Sequence, residues 1–199
     1  MQNPSEDGLR TLFQHFITLP LFGNAVLLDK YFNEMALQLV ISINLGCMMR
    51  VLRHGGMDVS CEVPVGQPWG ATNYVDIMLS PTTGTTHVIL ELKCVRVNAV
   101  MYPDADLQAQ AETARAHQRS LADFFGLLSE SGVRALQLHP ALSRDYGGSR
   151  SVNQVLSRAA GQLRSYLAGL KRGALPPETY VGYVVALVGT RIVVERVHH

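Results

Sequence analysis

The sequence predicts an α/β domain, and three observations carry that expectation. Three short apolar runs, at about 58–65, 73–80 and 86–96, are separated by turn-forming residues and read as strands. A clean amphipathic helical period follows over 152–170. Two more apolar runs, 180–188 and 191–197, flank Gly189-Thr190 and read as a strand pair. Strands interleaved with amphipathic helices imply helices packed on a sheet.

The elements follow in order. Residues 1–28 carry mixed signals and are left as a lead-in. Residues 29–51 are apolar on nearly every side at helical spacing, which predicts a helix buried in a core, ended by His54-Gly55-Gly56. A loop holding Gly66, Pro68, Trp69 and Gly70 separates the first two strands, and Pro81-Thr82-Thr83-Gly84 is a turn between the second and third. Residues 104–130 are rich in Ala, Gln and Glu and read as one helix ending in an apolar cluster at 121–128. The stretch 139–151 reads as a flexible loop. On the later helix, Val155, Ala159, Leu163, Tyr166, Leu167 and Leu170 form one stripe with Gln162 on its shoulder.

Composition narrows the classes. At 199 residues, 47% hydrophobic and 17% charged, the chain is long enough for a single domain with a real core, spanning 1–199. A net charge of +1 excludes a strongly basic coat, so any nucleic-acid contact must be a local patch. Cys47, Cys61 and Cys94, an odd number with no CxxC, argue against a disulfide framework or a zinc site and are expected as free thiols in the core. The polar, acidic start is wrong for a secretory signal, and the longest apolar stretch, 35–49, is too short and too interrupted to span a bilayer. A soluble, intracellular protein is the expectation. A P-loop, a Gly-x-Ser-x-Gly elbow and an HExxH motif are all missing, and the seven histidines show no paired spacing.

The chemistry concentrates in 58–95. Asp76 ends one short apolar strand, and Glu91 and Lys93 stand two residues apart inside the run VILELKCV. Residues i and i+2 of a strand share a face, so Glu91 and Lys93 emerge together while Leu90, Leu92 and Cys94 point the other way. Opposite charges on one face of an apolar strand are costly unless they serve each other or a metal. Two carboxylates and a backbone carbonyl are a sufficient protein share of a Mg²⁺ site, because water and substrate phosphate fill the other positions.

In sequence order the pieces are Glu62-Val63-Pro64-Val65-Gly66, Val75-Asp76-Ile77-Met78, Ile89-Leu90-Glu91-Leu92-Lys93 and Gln162-Leu163-Arg164-Ser165-Tyr166. This series resembles the PD-(D/E)XK nuclease superfamily over roughly residues 30–197. The resemblance implies a restriction-endonuclease-like αβββαβ core, a central mixed sheet flanked by helices, with a long insertion at about 97–150. It implies a nuclease dependent on Mg²⁺ or Mn²⁺ and acting on DNA before RNA, the metal held by Asp76, Glu91 and the carbonyl of Leu92. Lys93 would stabilise the attacking water, with a pKa expected to fall on desolvation. Glu62 and Gln162 complete the catalytic set; each also reads as an exposed neighbour of the site. Glu34 and Tyr166 are supporting candidates, Glu34 alternatively a helix-start acid and Tyr166 a core residue.

From 133 to 172, Arg134, Arg144, Arg150, Arg158, Arg164, Lys171 and Arg172 face only Asp145. Within that excess Arg158, Arg164, Lys171 and Arg172 are the expected nucleic-acid contacts, although a solvated helix face reads the same way. Trp69 suits either stacking on a base or capping the core. The competing function is a non-catalytic nuclease-fold module that binds nucleic acid or a protein partner; a homodimer is also admitted.

Overall fold

A computed structural model describes residues 5–18, 27–29, 31–51, 57–65, 73–113, 119–173 and 179–198, with the side chains of 49–51 and 171–173 excepted. Gly66, Trp69 and the side chains of Lys171 and Arg172 therefore lie outside the described residues. The helices are α1 (Glu6–Thr18), α2 (Glu34–Val51), α3 (Ala105–Thr113), α4 (Arg119–Leu127), α5 (Glu130–Ala135) and α6 (Val152–Gly173). The strands are β1 (Met57–Val65), β2 (Asn73–Pro81), β3 (Thr86–Val95), β4 (Thr179–Val188) and β5 (Arg191–Val197).

The strands form one mixed sheet in the order β1-β2-β3-β4-β5. β1, β2 and β3 make an antiparallel meander, β4 runs parallel to β3, and β5 returns antiparallel beside β4. A parallel neighbour needs a long crossover, and α6 lies within it. β4 is buried from Val181 to Val188, as a strand covered on both faces requires.

The covering helices divide by face. On one side, Val155, Leu156, Ala159, Leu163 and Leu167 of α6 share a core with Ile89, Val95, Val184 and Ala186. On the other, Phe13, Ile17, Leu37 and Ile41 of α1 and α2 pack with Leu90, Leu92, Tyr183 and Val185. Residues 97–150 join the α6 side through Val97, Val100, Leu121, Phe125 and Leu138.

Several expectations change. The lead-in contains α1, whose Leu9, Phe13, Phe16 and Ile17 form a buried stripe. Gln14 fastens this helix to the β4–β5 turn, donating to the Thr190 carbonyl at 2.9 Å and accepting from the Ile192 N–H at 3.0 Å. α2 begins at Glu34 and not at residue 29, because the Asn33 side chain caps it by accepting from the Ala36 N–H at 3.0 Å. Nor is α2 buried all round: Met35, Leu39 and Ile43 are exposed, one turn apart. Within 104–130 two helices, α3 and α4, stand in place of one. The expected loop at 139–151 contains a 3-10 helix, Pro140–Tyr146, closed by Gly147 at φ 63°. It is tied down where the Arg96 N–H donates to the Tyr146 hydroxyl at 3.0 Å and Arg96 pairs with Asp145.

The cysteines need a correction. All three are free, but only Cys94 is buried, where its thiol is pushed up to about 12 by burial. Cys61 pairs across the ladder with Ile77 and so lies on the expected face, yet β1 is the sheet edge and leaves it exposed. Cys47 is exposed on α2. Among the described residues no helix is long and apolar enough to cross a membrane.

Gly189 shows how tightly the insertion packs on the sheet. Its φ of 59° is left-handed, and a Cβ there would stand 2.3 Å from the Phe125 ring. Gly189→Ala is expected to lower stability by about 2–4 kcal/mol through backbone strain and overpacking together, read by denaturant unfolding.

Candidate active site

The sheet opens where its charges gather. The β2–β3 ladder runs from Leu79↔Val88 to Ile77↔Leu90. One further step of that register would set Asp76 against Glu91. Instead the strands part, and Asp76 Oδ2 accepts the Leu92 N–H at 2.6 Å. Val75 and Ile77 would ordinarily share a face. Here Val75 belongs to the α6 core and Ile77 to the α1–α2 core, so β2 exchanges faces at Asp76. Across from it on β1, Glu62 sits between the pairs Cys61↔Ile77 and Val63↔Val75 with φ 50°, a conformation no other described non-glycine residue adopts. Holding it there costs about 1–3 kcal/mol.

β3 keeps strict alternation. Glu91 and Lys93 project on the side of Ile89 and Val95, and Leu90, Leu92 and Cys94 on the other. Glu91 is 1% exposed. Its Oε1 receives Lys93 Nζ at 3.0 Å, while its Oε2 is buried with no hydrogen-bond partner. Lys93 Nζ also lies 3.3 Å from Glu34 Oε2 at the start of α2. One turn along, Gln38 donates to the Asp76 carbonyl at 2.7 Å and fixes the bent strand to the helix. Leu92 turns its N–H toward Asp76; a strand residue's N–H and C=O share an edge, so its carbonyl faces the same gap.

Burial sets the electrostatics. It raises the Glu91 carboxyl to about 7, Lys93 opposing and Asp76 adding to the rise. The Asp76 carboxyl is also raised by burial, against the Leu92 N–H and Lys93, which hold it down. For Lys93 the direction is opposite to that expected from the sequence. Desolvation lowers its pKa, but Glu91, Glu34 and Asp76 outweigh burial and hold it above the ordinary lysine value.

α6 closes the cleft. Tyr166 is buried against the core, and its hydroxyl accepts from the exposed Gln162 amide. Burial raises the Tyr166 hydroxyl; Gln162 lowers it, and the fields of Glu91 and Asp76 add to the rise, so Tyr166 is both core and site neighbour. A cavity of about 360 Å³ is lined by Glu34, Lys93, Asp145, Gly147, Arg158 and Gln162, among others. Gly147 is required by its left-handed φ of 63°, and a Cβ there would stand 2.6 Å from the Arg158 guanidinium, the mobile end of an exposed side chain.

The basic excess does not act as one surface. Arg134 is committed to Glu130 at 3.1 Å and Glu195 at 2.7 Å and drops out as a phosphate contact. Arg144, Arg150, Arg158 and Arg164 are exposed, and of these Arg158 lines the cleft. Sequence reasoning missed Arg96, Tyr146 and Gly147 as parts of the site and met Asp145 only as a lone acid. The signal available was Asp145-Tyr146-Gly147-Gly148, a helix-ending pattern hidden inside an expected loop.

Among the described residues no group of three or more His, Cys, Asp or Glu is placed to hold a metal ion. Asp76 and Glu91, whose fields interact, offer carboxylate oxygens, hard donors of the kind Mg²⁺ and Mn²⁺ prefer. Comparison with protein families, curated proteins and solved structures found no match to this chain.

Proposed function

We propose that the chain is a metal-dependent nuclease of the PD-(D/E)XK type, hydrolysing phosphodiester bonds of nucleic acid, with DNA the first substrate to test. One observation carries the reading: the buried, unpartnered Oε2 of Glu91, within the field of Asp76 where the sheet opens and behind Lys93, which lines the cleft. A carboxylate oxygen stripped of water and left without a donor is strongly unfavourable. A cation shared by Asp76, Glu91 and the Leu92 carbonyl would relieve that cost. The element order, with a βββ meander followed by α6 and a parallel strand, agrees with the restriction-endonuclease-like core.

When bound, Mg²⁺ or Mn²⁺ supplies charge that polarises the phosphoryl group and acidifies a water. The remaining work falls to the chain. Lys93, held cationic by three carboxylates, orients and stabilises the attacking water as it loses a proton. The water oxygen forms the new P–O bond in line as the bond from phosphorus to the sugar oxygen breaks; the proton it loses passes to solvent water, and solvent water protonates the departing oxygen. Arg158 on the cleft wall binds a phosphate oxygen; Gln162 lines the same wall, and Glu62 and Glu34 orient water or the Lys93 ammonium. Arg164 and the Lys171-Arg172 end of α6 extend the proposed phosphate contacts.

A non-catalytic module is the second reading, favoured by the Glu34–Lys93–Glu91 ion-pair chain, which also serves as scaffold. Incubation with single- and double-stranded DNA and RNA separates the two. Cleavage with Mg²⁺ or Mn²⁺ and none with chelator supports the nuclease. Binding of any of these without cleavage in either metal gives the site to the scaffold reading.

A further inference from the structure

Beside the cleft lies a larger cavity of about 530 Å³, bordered by Tyr31, Asn33, Met35, Arg96, Asp145 and Tyr146. Its size falls within the roughly 300–1,000 Å³ of small-molecule pockets. Glu34, Asp145 and Tyr146 wall both cavities, so the two adjoin.

The lining selects the ligand. Tyr31 and Met35 are 74% and 72% exposed and present an aromatic ring and a polarisable thioether at the mouth. The Tyr146 ring is fixed because its hydroxyl accepts from the Arg96 N–H. The polar edge holds donors and acceptors together. Asn33 uses its carbonyl as the α2 cap, which leaves its NH₂ group to donate, and Arg96 and Asp145 stand side by side. A second phosphate is disfavoured, because Arg96 is already neutralised by Asp145 and Glu34 adds another carboxylate. A flat, uncharged heterocycle with a hydrogen-bonding edge fits all of these features.

We propose that this cavity is a nucleobase subsite and that the substrate at the cut is single-stranded, resting on the nuclease reading for the adjoining phosphate. A base paired and stacked in a duplex has both faces and its pairing edge occupied; one that is splayed out can stack on an aromatic and present its edge.

The test compares wild type with the Tyr31→Ala/Met35→Ala double variant, whose altered side chains are exposed. Cleavage in Mg²⁺ is measured on one oligonucleotide sequence as single strand, as duplex, and as single strand with one abasic residue beside the cut. Wild type should prefer the single strand. Both the double variant and the abasic residue should lower kcat/KM on it by roughly 5- to 150-fold, the equivalent of one stacked base, and the two losses should not add. Equal activity of variant and wild type, equal losses on duplex and single strand, or additive losses each overturn the subsite. If wild type cleaves nothing, the nuclease reading fails by itself. Fluorescence anisotropy with the intact and abasic single strands then decides the subsite: weaker binding of the intact strand by the variant supports it, and unchanged binding overturns it.

Discussion

Asp76→Asn and Lys93→Ala are each expected to cripple cleavage, for different reasons. Asp76→Asn removes one of the two carboxylates that hold the cation, while its side-chain carbonyl can still accept the Leu92 N–H. Asp76→Ala is the less clean variant. It relieves acid–acid repulsion but leaves the Leu92 N–H unsatisfied, at about 1–3 kcal/mol. Lys93→Ala keeps every metal donor and removes the group that stabilises the nucleophile, so kcat should fall by roughly 100- to 10,000-fold. It also strands Glu91 without its 3.0 Å partner; because Lys93 holds that carboxyl down, the variant raises it further, so metal affinity should be compared across a pH series and read at its alkaline plateau. Calorimetry with Mn²⁺ should show weakened binding for Asp76→Asn and nearly unchanged binding for Lys93→Ala. Equal loss of metal affinity in both variants would contradict the division of roles.

The metal-free protein should lose stability as pH rises from about 4.5 to about 8. Glu91 titrates near 7 in the fold, against an ordinary value of 4.5. Between those values the unfolded chain has released a proton that the folded chain still holds, so unfolding gains ground as pH rises. The difference amounts to about 3 kcal/mol when complete, and the raised Asp76 carboxyl acts in the same direction. Glu91→Gln should flatten the profile and be more stable than wild type above pH 7. Saturating Mg²⁺ should stabilise wild type more at pH 8 than at pH 5, and Glu91→Gln much less. Denaturant melts across this range check the sign; a wild-type profile that rises with pH would show that burial does not govern this carboxyl.

The parts legible in the sequence were those governed by local period. The alternation of VILELKCV placed Glu91 and Lys93 on one face and Cys94 on the other, and the Val155–Leu170 stripe marked the helix that covers them. What stayed hidden depends on contacts distant in sequence. The exposure of Cys61 follows from its place on β1, the edge strand of the sheet, which its own residues do not encode. The left-handed Glu62 and the face exchange at Asp76 arise only once three strands are paired and two of them part. Asp145, Tyr146 and Gly147 reach the site because Arg96, about 50 residues earlier, grips the Pro140–Tyr146 helix. Helix α1 was missed because its stripe of four apolar residues is diluted by Thr11, Gln14 and His15, and it gains its stability by packing on β5.

The central claim is that Asp76 and Glu91 share a divalent cation. Anomalous diffraction from crystals soaked in Mn²⁺ tests it directly. The expected result is one strong peak at ~2.0–2.6 Å from oxygens of Asp76, Glu91 Oε2 and the Leu92 carbonyl. Soaked crystals with no peak there, and with Lys93 still bridging Glu91 and Glu34, would contradict the metal site and leave the charges as scaffold.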